Sequence, residues 1–232
     1  MQKLIKLLNT IFFSLFPDLC FHCNKMLNEG EEVLCFHCHT KLPVFDGCWV
    51  NSQHNIITHL FDHKINLKYG FAFFYYESSG VTRSLIHHLK YKNQEIIGTW
   101  IVNHFGDLYN STINDIDYIV PIPLHTKKMK ERGYNQVDTF CSALSEKWNI
   151  PYEKDNLIRK RYTNTQTKKS RIERAINLKD VFDVKEKKVF SNKHVLLVDD
   201  VLTTGSTLES AGYVLLDSEI KHLSILTIGI VV

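Results

Sequence analysis

The sequence predicts an α/β protein, a parallel sheet flanked by helices, with a small cysteine-rich ribbon in front of it. From residue 69 onwards, apolar runs of strand length alternate with helical stripes, a pattern typical of parallel sheets. Two of these runs, 195–198 and 225–232, are almost entirely apolar, as in strands that are buried on both faces. Five of the six cysteines fall within the first 48 residues. We therefore expect a ribbon over residues 1–65 and an α/β domain over residues 66–232.

The composition is that of an ordinary globular protein. The 232 residues are 44% hydrophobic and 23% charged, which argues against disorder and against a coiled coil. A net charge of +3 is too small to indicate a nucleic-acid-binding protein by itself. No apolar stretch approaches the roughly 20 residues of a membrane-spanning helix, and polar residues interrupt the N-terminus where a secretory signal needs an apolar core. We expect a short amphipathic helix there, no membrane insertion and a cytoplasmic protein.

Four of the N-terminal cysteines have the spacing of a metal site. Cys20 and Cys23 form one CxxC pair, and Cys35 and Cys38 form a second pair after eleven intervening residues. Two such pairs complete the tetrahedral sulfur shell that suits Zn²⁺. Disulfides are disfavoured in a reducing cytoplasm, and a neighbouring histidine could replace one thiolate. We expect one structural zinc ion on these four cysteines, while Cys48 has no CxxC partner and no assigned role.

The first elements of the α/β domain follow from the periodicity of the chain. The aromatic run 69–76 ends at Ser-Ser-Gly and predicts a strand. Apolar spacing predicts helices over residues 81–89 and 96–105. Residues 118–120 predict a short buried strand that ends at prolines, and residues 135–148 predict an amphipathic helix.

The second half of the domain continues the alternation. Residues 159–177 are basic and polar without an apolar period, which predicts a long mobile loop. A strand is predicted over residues 194–200, a helix over 206–216 and a last strand over 223–232. No internal repeat interrupts this order.

The residues that follow the strand 194–200 indicate a ligand site. Asp199 and Asp200 are carried to the carboxyl edge of the sheet, where open α/β sheets bind ligands. Hydroxyl side chains around Gly205 then lead into a helix, whose first amides can cradle a phosphate. Two carboxylates beside such a cradle suit a sugar phosphate, because they accept hydrogen bonds from sugar hydroxyls with Mg²⁺ nearby. The predicted binding residues are Val198, Asp199, Asp200, Thr203, Thr204, Gly205, Ser206 and Thr207.

Other nucleotide-binding classes share parts of this pattern but lack the rest of it. A Walker B strand also ends in acids, yet the chain has no GxxxxGK[ST] loop, and it has no GxGxxG for a dinucleotide fold. A phospho-receiver domain begins with a similar strand, but only 32 residues follow Asp200. An ordinary strand–turn–helix would explain the capping hydroxyls but not the acid pair.

Segment 195–208 resembles the PRPP-binding motif of the type I phosphoribosyltransferases. Other segments are similar to the ComF/GntX branch of that superfamily, and together with the cysteine pairs the resemblance covers essentially the whole chain. These segments are Leu85–Tyr91, Pro121–His125, Arg132–Gln136 and Arg159–Asn177. The resemblance implies a type I phosphoribosyltransferase-like sheet behind the zinc ribbon.

The resemblance also implies roles for the site residues. Asp199 and Asp200 would be the catalytic acids that hold the ribose hydroxyls of PRPP, and the loop 203–207 would hold the 5′-phosphate. A diphosphate loop and a flexible hood would close the site. Their candidate residues are Pro123, Leu124, His125, Arg132, Arg159, Arg161 and Arg174. Many relatives carry a second set of cysteine knuckles, of which Cys48 alone is left here, so one zinc ion is expected.

Three functional readings stay open on the sequence. A catalytic chain would displace diphosphate from C1 of PRPP, with Mg²⁺ and cations neutralising the leaving group. Residues 121–174 hold 13 Lys and Arg against 6 Asp and Glu, so positive charge is concentrated beside the proposed site. The same cations could bind single-stranded DNA through its phosphates. The resemblance implies a link to DNA uptake in competence, and the ribbon could then dock a helicase partner or the DNA itself. The third reading is a scaffold that no longer binds a ligand.

Overall fold

A computed structural model of the chain describes residues 17–47, 53–91, 94, 96–160 and 181–232. Several predictions made from the sequence lie outside these residues. They concern the N-terminal amphipathic helix, Cys48, Arg161, Arg174 and most of the loop expected over residues 159–177. Within the described ranges, no helix has both the length and the apolar character needed to cross a membrane.

A parallel four-stranded sheet lies at the centre of the described chain. In chain order, the strands are β1 (Tyr69–Tyr75), β2 (Tyr118–Pro121), β3 (Leu157–Arg159), β4 (Phe182–Val184), β5 (His194–Leu202) and β6 (His222–Ile230). The parallel sheet has the order β1-β6-β5-β2, and β3 pairs with β4 in a separate antiparallel pair. Strands β5 and β6 are central and almost wholly buried, which is why both read as apolar runs in the sequence.

Helices cover both faces of the sheet. In chain order they are α1 (Phe36–His39), α2 (Ile56–Leu60), α3 (Val81–Tyr91), α4 (Ile96–Phe105), α5 (Thr126–Arg132), α6 (Asp138–Trp148), α7 (Lys187–Phe190) and α8 (Ser206–Leu216). Apolar residues of α3, α4 and α6 pack in one cluster with Leu196 and Val198 of β5. Apolar residues of α2, α8 and the β3–β4 pair form a second cluster with Val195 and Leu197. The alternation of side chains along β5 therefore supplies both cores.

The predicted fold class and order of elements are confirmed, with a difference at the site itself. Strand β5 runs two residues beyond its predicted end, because Val201 and Leu202 pair with Gly229 and Ile230 of β6. The acid pair therefore lies within the strand. The helix predicted from Asn135 begins at Asp138, which leaves Asn135 and Gln136 in the preceding turn.

The beginning of the predicted basic loop is a strand. Arg159 is the last residue of β3 and pairs with Phe182 of β4. The sequence did not predict this strand, because β3 has only three residues and its partner lies more than twenty residues further along the chain. The short helices α2, α5 and α7 also went unpredicted, since four to seven residues carry little periodic signal.

The cysteine ribbon packs directly on the sheet. Cys20, Cys35 and Cys38 belong to the same apolar cluster as β1, α3 and α4. The amide of Phe45 donates to the carbonyl of Phe73 at 2.9 Å, and the amide of Tyr75 donates to the carbonyl of Pro43 at 2.7 Å. The ribbon and the sheet thus share one core, and the division of the chain at residue 65 stays a prediction.

Candidate functional site

The four predicted cysteines converge on one point. Their sulfur atoms all lie within 4.8 Å of one another, and all four are free thiols. Burial opposes ionisation of Cys20, but hydrogen bonds from the amides of Cys23, Cys35 and His22 lower its pKa to about 7. Burial and the neighbouring sulfurs raise the pKa of Cys38. The cluster can bind a metal such as zinc, because a divalent cation stabilises closely spaced thiolates that would otherwise repel one another.

Asp200 is held on both of its carboxylate oxygens. Lys90, at the end of α3, lies with its Nζ 2.9 Å from Oδ1. Gln136 donates from Nε2 to Oδ2 at 2.6 Å. The Asp200 side chain is 8% exposed, so this ion pair and hydrogen bond act where solvent screens them little.

The segment that precedes α6 ties three elements to the acid pair. Arg132 donates from Nη1 to Oε1 of Gln136 at 2.8 Å. Asn135 donates from Nδ2 to the carbonyl of Ile122 at 3.0 Å, and the Tyr134 hydroxyl donates to the carbonyl of Leu89 at 2.5 Å. The end of β2, the end of α3 and β5 therefore meet through residues 132–136.

Asp199 has different surroundings from its neighbour. It is half-buried, and its Oδ1 accepts a hydrogen bond from the amide of Asp200 at 2.8 Å. Burial and the negative charge of Asp200 raise the pKa of Asp199 to about 7, although the positive charges of Lys90 and Arg159 act against the rise. The side chain therefore titrates near neutral pH, which is common at functional sites.

The hydroxyl loop turns sharply into α8. Gly205 has φ +75, the left-handed region that favours glycine. A Cβ at this position would lie 2.8 Å from the ring of Phe61, so packing as well as conformation requires glycine. Gly205 has no side chain with which to cap the helix, and the first amides of α8 are thus available to an anion. Thr204 and Ser206 are exposed beside them, with their hydroxyls 3.1 Å apart.

The remaining predicted residues take several different positions. Val198 is fully buried in the core, so only its backbone can face a ligand. Pro123 and Leu124 are half-buried just after β2. His125 caps α5 by accepting from the amide of Lys127 at 3.1 Å, a structural use of its Nδ1. Arg159 lies over the ring of Phe182, 5.3 Å from its centroid.

Sequence reasoning missed two residues of this site, Lys90 and Gln136. Both lie inside segments that resemble the ComF/GntX branch, but their spacing indicates no chemistry. Lys90 ends a helical stripe and Gln136 precedes one, so each looks like an ordinary polar residue at a helix end. The short motifs around them were the available signal, and the contact with Asp200 appears only in three dimensions.

Comparison with known proteins finds a matching family model and several relatives. The family model described as "Phosphoribosyl transferase domain" matches residues 139–232. Competence protein F of Haemophilus influenzae is 32% identical over 151 residues, 61% of this chain and 64% of that protein. Competence protein ComFC of Bacillus subtilis is 30% identical over 122 residues, 50% of this chain and 48% of its own. DNA utilization protein YhgH of Escherichia coli K12 is 36% identical over 100 residues, 43% of each chain.

Each match covers less than two thirds of the relative's length, from 43 to 64%.

Among solved structures, the glutamine PRPP amidotransferase of B. subtilis, in a complex with ADP and GMP, is 17% identical. The similarity covers 61% of this chain and 26% of that one, with a TM-score of 0.39. A similarity this weak has no bearing on activity.

The fold, the acid pair and the hydroxyl loop define a phosphoribosyltransferase-type α/β domain, and the matched residues contain β5, α8 and β6. A four-cysteine cluster packs against this domain. Relatives at 30–36% identity include Competence protein F, ComFC and YhgH, and they support the resemblance to the ComF family. The family resemblance recognised in the sequence is confirmed.

Proposed function

We propose that this protein binds PRPP, or a closely related sugar phosphate, together with Mg²⁺ at the carboxyl end of β5. The observation that carries the proposal is the run from Asp199 to Thr207. Carboxylates within a buried strand are followed directly by a glycine turn, by exposed hydroxyls and by the start of α8. Anionic phosphate and neutral sugar hydroxyls are the two groups that these donors and acceptors complement.

Each part of the site has a separate task in this proposal. The amides and hydroxyls of residues 203–207 bind the 5′-phosphate, because they combine donors with the positive end of the α8 dipole. A carboxylate of the acid pair accepts hydrogen bonds from the ribose hydroxyls. Arg132 and Arg159 supply positive charge toward a diphosphate group.

Mg²⁺ suits the donors that this site offers. Asp199 and the nearby hydroxyl and phosphate oxygens are hard ligands, which Mg²⁺ prefers to nitrogen or sulfur. When bound, the ion would neutralise diphosphate charge. The four clustered cysteines lie in the ribbon, so the proposal keeps a structural zinc ion and Mg²⁺ at different sites.

Titration calorimetry with PRPP and Mg²⁺ tests this proposal. We expect the zinc-loaded parent protein to bind, and Thr204→Val to bind about tenfold more weakly because one charge-assisted hydrogen bond is lost. Thr112→Val is the matched control and should bind like the parent. Thr112 precedes β2, at the amino end of the parallel strands and away from the proposed site. Failure of the parent to bind PRPP would reject the proposed function.

The names of the relatives support a setting in DNA uptake or use. Competence protein F, ComFC and DNA utilization protein YhgH associate this family with such processes, and we extend that association to this chain. Single-stranded DNA is the alternative ligand, and a helicase stays a predicted partner. DNA binding through phosphates would weaken steeply as salt rises, whereas loss of Thr204 should leave it unchanged.

A further inference from the structure

The first cysteine pair and the two residues between its members, the knuckle 20–23, lie against helix α3. We infer that this contact couples the ribbon to the ligand site. When the four cysteines hold a metal ion, the knuckle is fixed, and it positions α3, which carries Lys90 to Asp200. Ser84 and His88 make the contacts on α3 and are thus positioning residues for the sugar phosphate. The inference rests on the proposed function and adds a form of regulation to it.

Two side chains of the knuckle contact one stripe of α3. The ring of Phe21 stacks on that of His88, with their centroids 4.8 Å apart and 14° between their planes. Nδ1 of His22 lies 2.9 Å from Oγ of Ser84, a hydrogen bond in a half-buried position. Ser84 and His88 are four residues apart and are therefore neighbours on the helix surface. The knuckle thus holds about one turn of α3 from the side.

The position of Phe21 and His22 depends on the cysteines on either side of them. Cys20 and Cys23 flank the two residues, and the amide of Asn24 closes the turn by donating to the carbonyl of Cys20 at 3.0 Å. Both sulfur atoms belong to the group of four that lies within 4.8 Å. Thiolates at this spacing repel one another unless a cation lies between them. A bound metal ion and the contacts on α3 therefore favour the same conformation of the knuckle.

The far end of α3 lies at the ligand site. Lys90 is two residues beyond His88, about 3 Å along a helix, and its Nζ lies 2.9 Å from Oδ1 of Asp200. The hydroxyl of Tyr134 donates to the carbonyl of Leu89 in the same turn of α3 at 2.5 Å. The charge of Lys90 offsets that of Asp200, which would otherwise repel an anionic ligand. A shift of α3 would move Lys90 away from Asp200 and weaken binding of a sugar phosphate.

Coupling of this kind acts in both directions. If a metal ion in the ribbon favours binding of PRPP, then PRPP favours binding of the metal ion by the same factor. A ribbon that only stabilised the fold would behave differently. Replacement of Ser84 and His88 would then leave the affinity of the folded, metal-loaded protein for PRPP unchanged.

Titration calorimetry on the zinc-loaded full chain, with Mg²⁺ and PRPP, tests the inference. We expect S84A/H88A to weaken binding of PRPP about fivefold, at the lower end of the usual range of coupling factors. The matched control is R83A/H87A, which should bind like the parent, because Arg83 and His87 have the same spacing on α3 but are exposed.

Competition with a chelator measures the reverse effect. Saturating Mg²⁺–PRPP should raise the affinity of R83A/H87A for Zn²⁺ about fivefold and leave that of S84A/H88A unchanged. Any Zn²⁺ that PRPP itself binds affects both variants alike, so the difference between them reports the coupling. An equal response of the two variants would contradict the inference.

A double-mutant cycle with Lys90→Met tests the route through α3. Lys90→Met alone should weaken binding of PRPP about tenfold, because the charge of Asp200 is no longer offset. Adding S84A/H88A to this variant should weaken binding by less than about twofold more. If the two effects multiply instead, the knuckle does not act through Lys90 and the inference is wrong.

The outcomes separate the inference from the function on which it rests. If the parent does not bind PRPP, the proposed function and the inference that rests on it are both rejected. If S84A/H88A binds PRPP as well as the parent does, the proposed function stands and the inference is wrong. Should S84A/H88A fail to fold by circular dichroism, Ser84→Ala decides instead, with an expected loss of about threefold. Parent-like affinity in that folded variant would overturn the inference.

Discussion

At the scale of single residues, Asp199 is in a position that disfavours its charged form. Burial and the adjacent charge of Asp200 raise its pKa to about 7. Two neighbouring carboxylates in a central strand lower the stability of the fold when both are charged, and the ligand site proposed above would give this arrangement a use. The raised pKa of Asp199 makes the free energy of unfolding depend on pH.

We predict that Asp199→Asn stabilises the protein at pH 8 and has no such effect at low pH. The unfolded carboxyl ionises near pH 3.8, while the folded one holds its proton up to about pH 7. Since the folded state binds more protons between these values, the stability of the parent falls as pH rises through this window and is lowest above it. The gain in the variant should reach on the order of 2 kcal/mol above pH 7.

Chemical denaturation of both proteins between pH 4 and pH 8 measures this difference. Asp217→Asn, on the surface at the end of α8, serves as a control with no expected trend. A variant that is less stable than the parent at pH 8 would show that the charge of Asp199 stabilises the fold.

At the scale of elements, the approach of α4 to α6 depends on one glycine. A Cβ on Gly98 would lie 2.6 Å from the backbone nitrogen of Phe140 and 2.7 Å from the hydroxyl of Thr139. Backbone does not yield as a flexible side chain does, so any larger residue must push the helices apart. Because α6 begins just after Gln136, this packing also sets the position of Gln136, which hydrogen-bonds to Asp200.

Gly98→Ala should therefore destabilise the protein by about 1–3 kcal/mol through overpacking. Helix propensity alone predicts the opposite sign, a gain of up to about 1 kcal/mol, so the direction of the change identifies the cause. Thermal unfolding measures it, with Asn103→Ala on the exposed face of α4 as the control. An unchanged or higher melting temperature in Gly98→Ala would disprove close packing at this point.

At the scale of the whole molecule, the ribbon and the sheet depend on each other. Cys38 lies in the same apolar cluster as Phe71 and Phe73 of β1, and residues 43–45 hydrogen-bond along that strand. Loss of a metal ion bound by the four cysteines would therefore expose part of the core that supports β1 and α3, the helix that carries Lys90. A ribbon tethered only by a linker would have no such effect.

We predict that chelation of the metal lowers the melting temperature of the whole chain by roughly 10 °C in a single transition. The reason is that ligand release unfolds residues shared by both parts of the core. Differential scanning calorimetry with and without chelator measures it, and Cys38→Ser should reproduce the loss without chelator. Two separate transitions, with the second unchanged by chelator, would contradict a shared core.

Much of the fold and part of the site could be predicted. Helix α8 begins and ends where its apolar spacing indicates, and β1 and β6 lie within two residues of the expected strands, because burial of a periodic face is a local property of the chain. Arg159 was misassigned to a loop, since a three-residue strand takes its identity from a partner that is distant in sequence. The domain boundary, the PRPP-binding residues and the hood stay predictions.

The sequence by itself determined the four-cysteine cluster, the acid pair and the hydroxyl loop, because each depends on spacing within a few residues. Only the tertiary structure decided that Asp200 is engaged by Lys90 and Gln136, and that the ribbon shares the core of the sheet. Gln136 and Asp200 are 64 residues apart, and no local pattern records a contact of that kind. It arises because parallel strands and their crossover helices bring distant segments to one edge of the sheet.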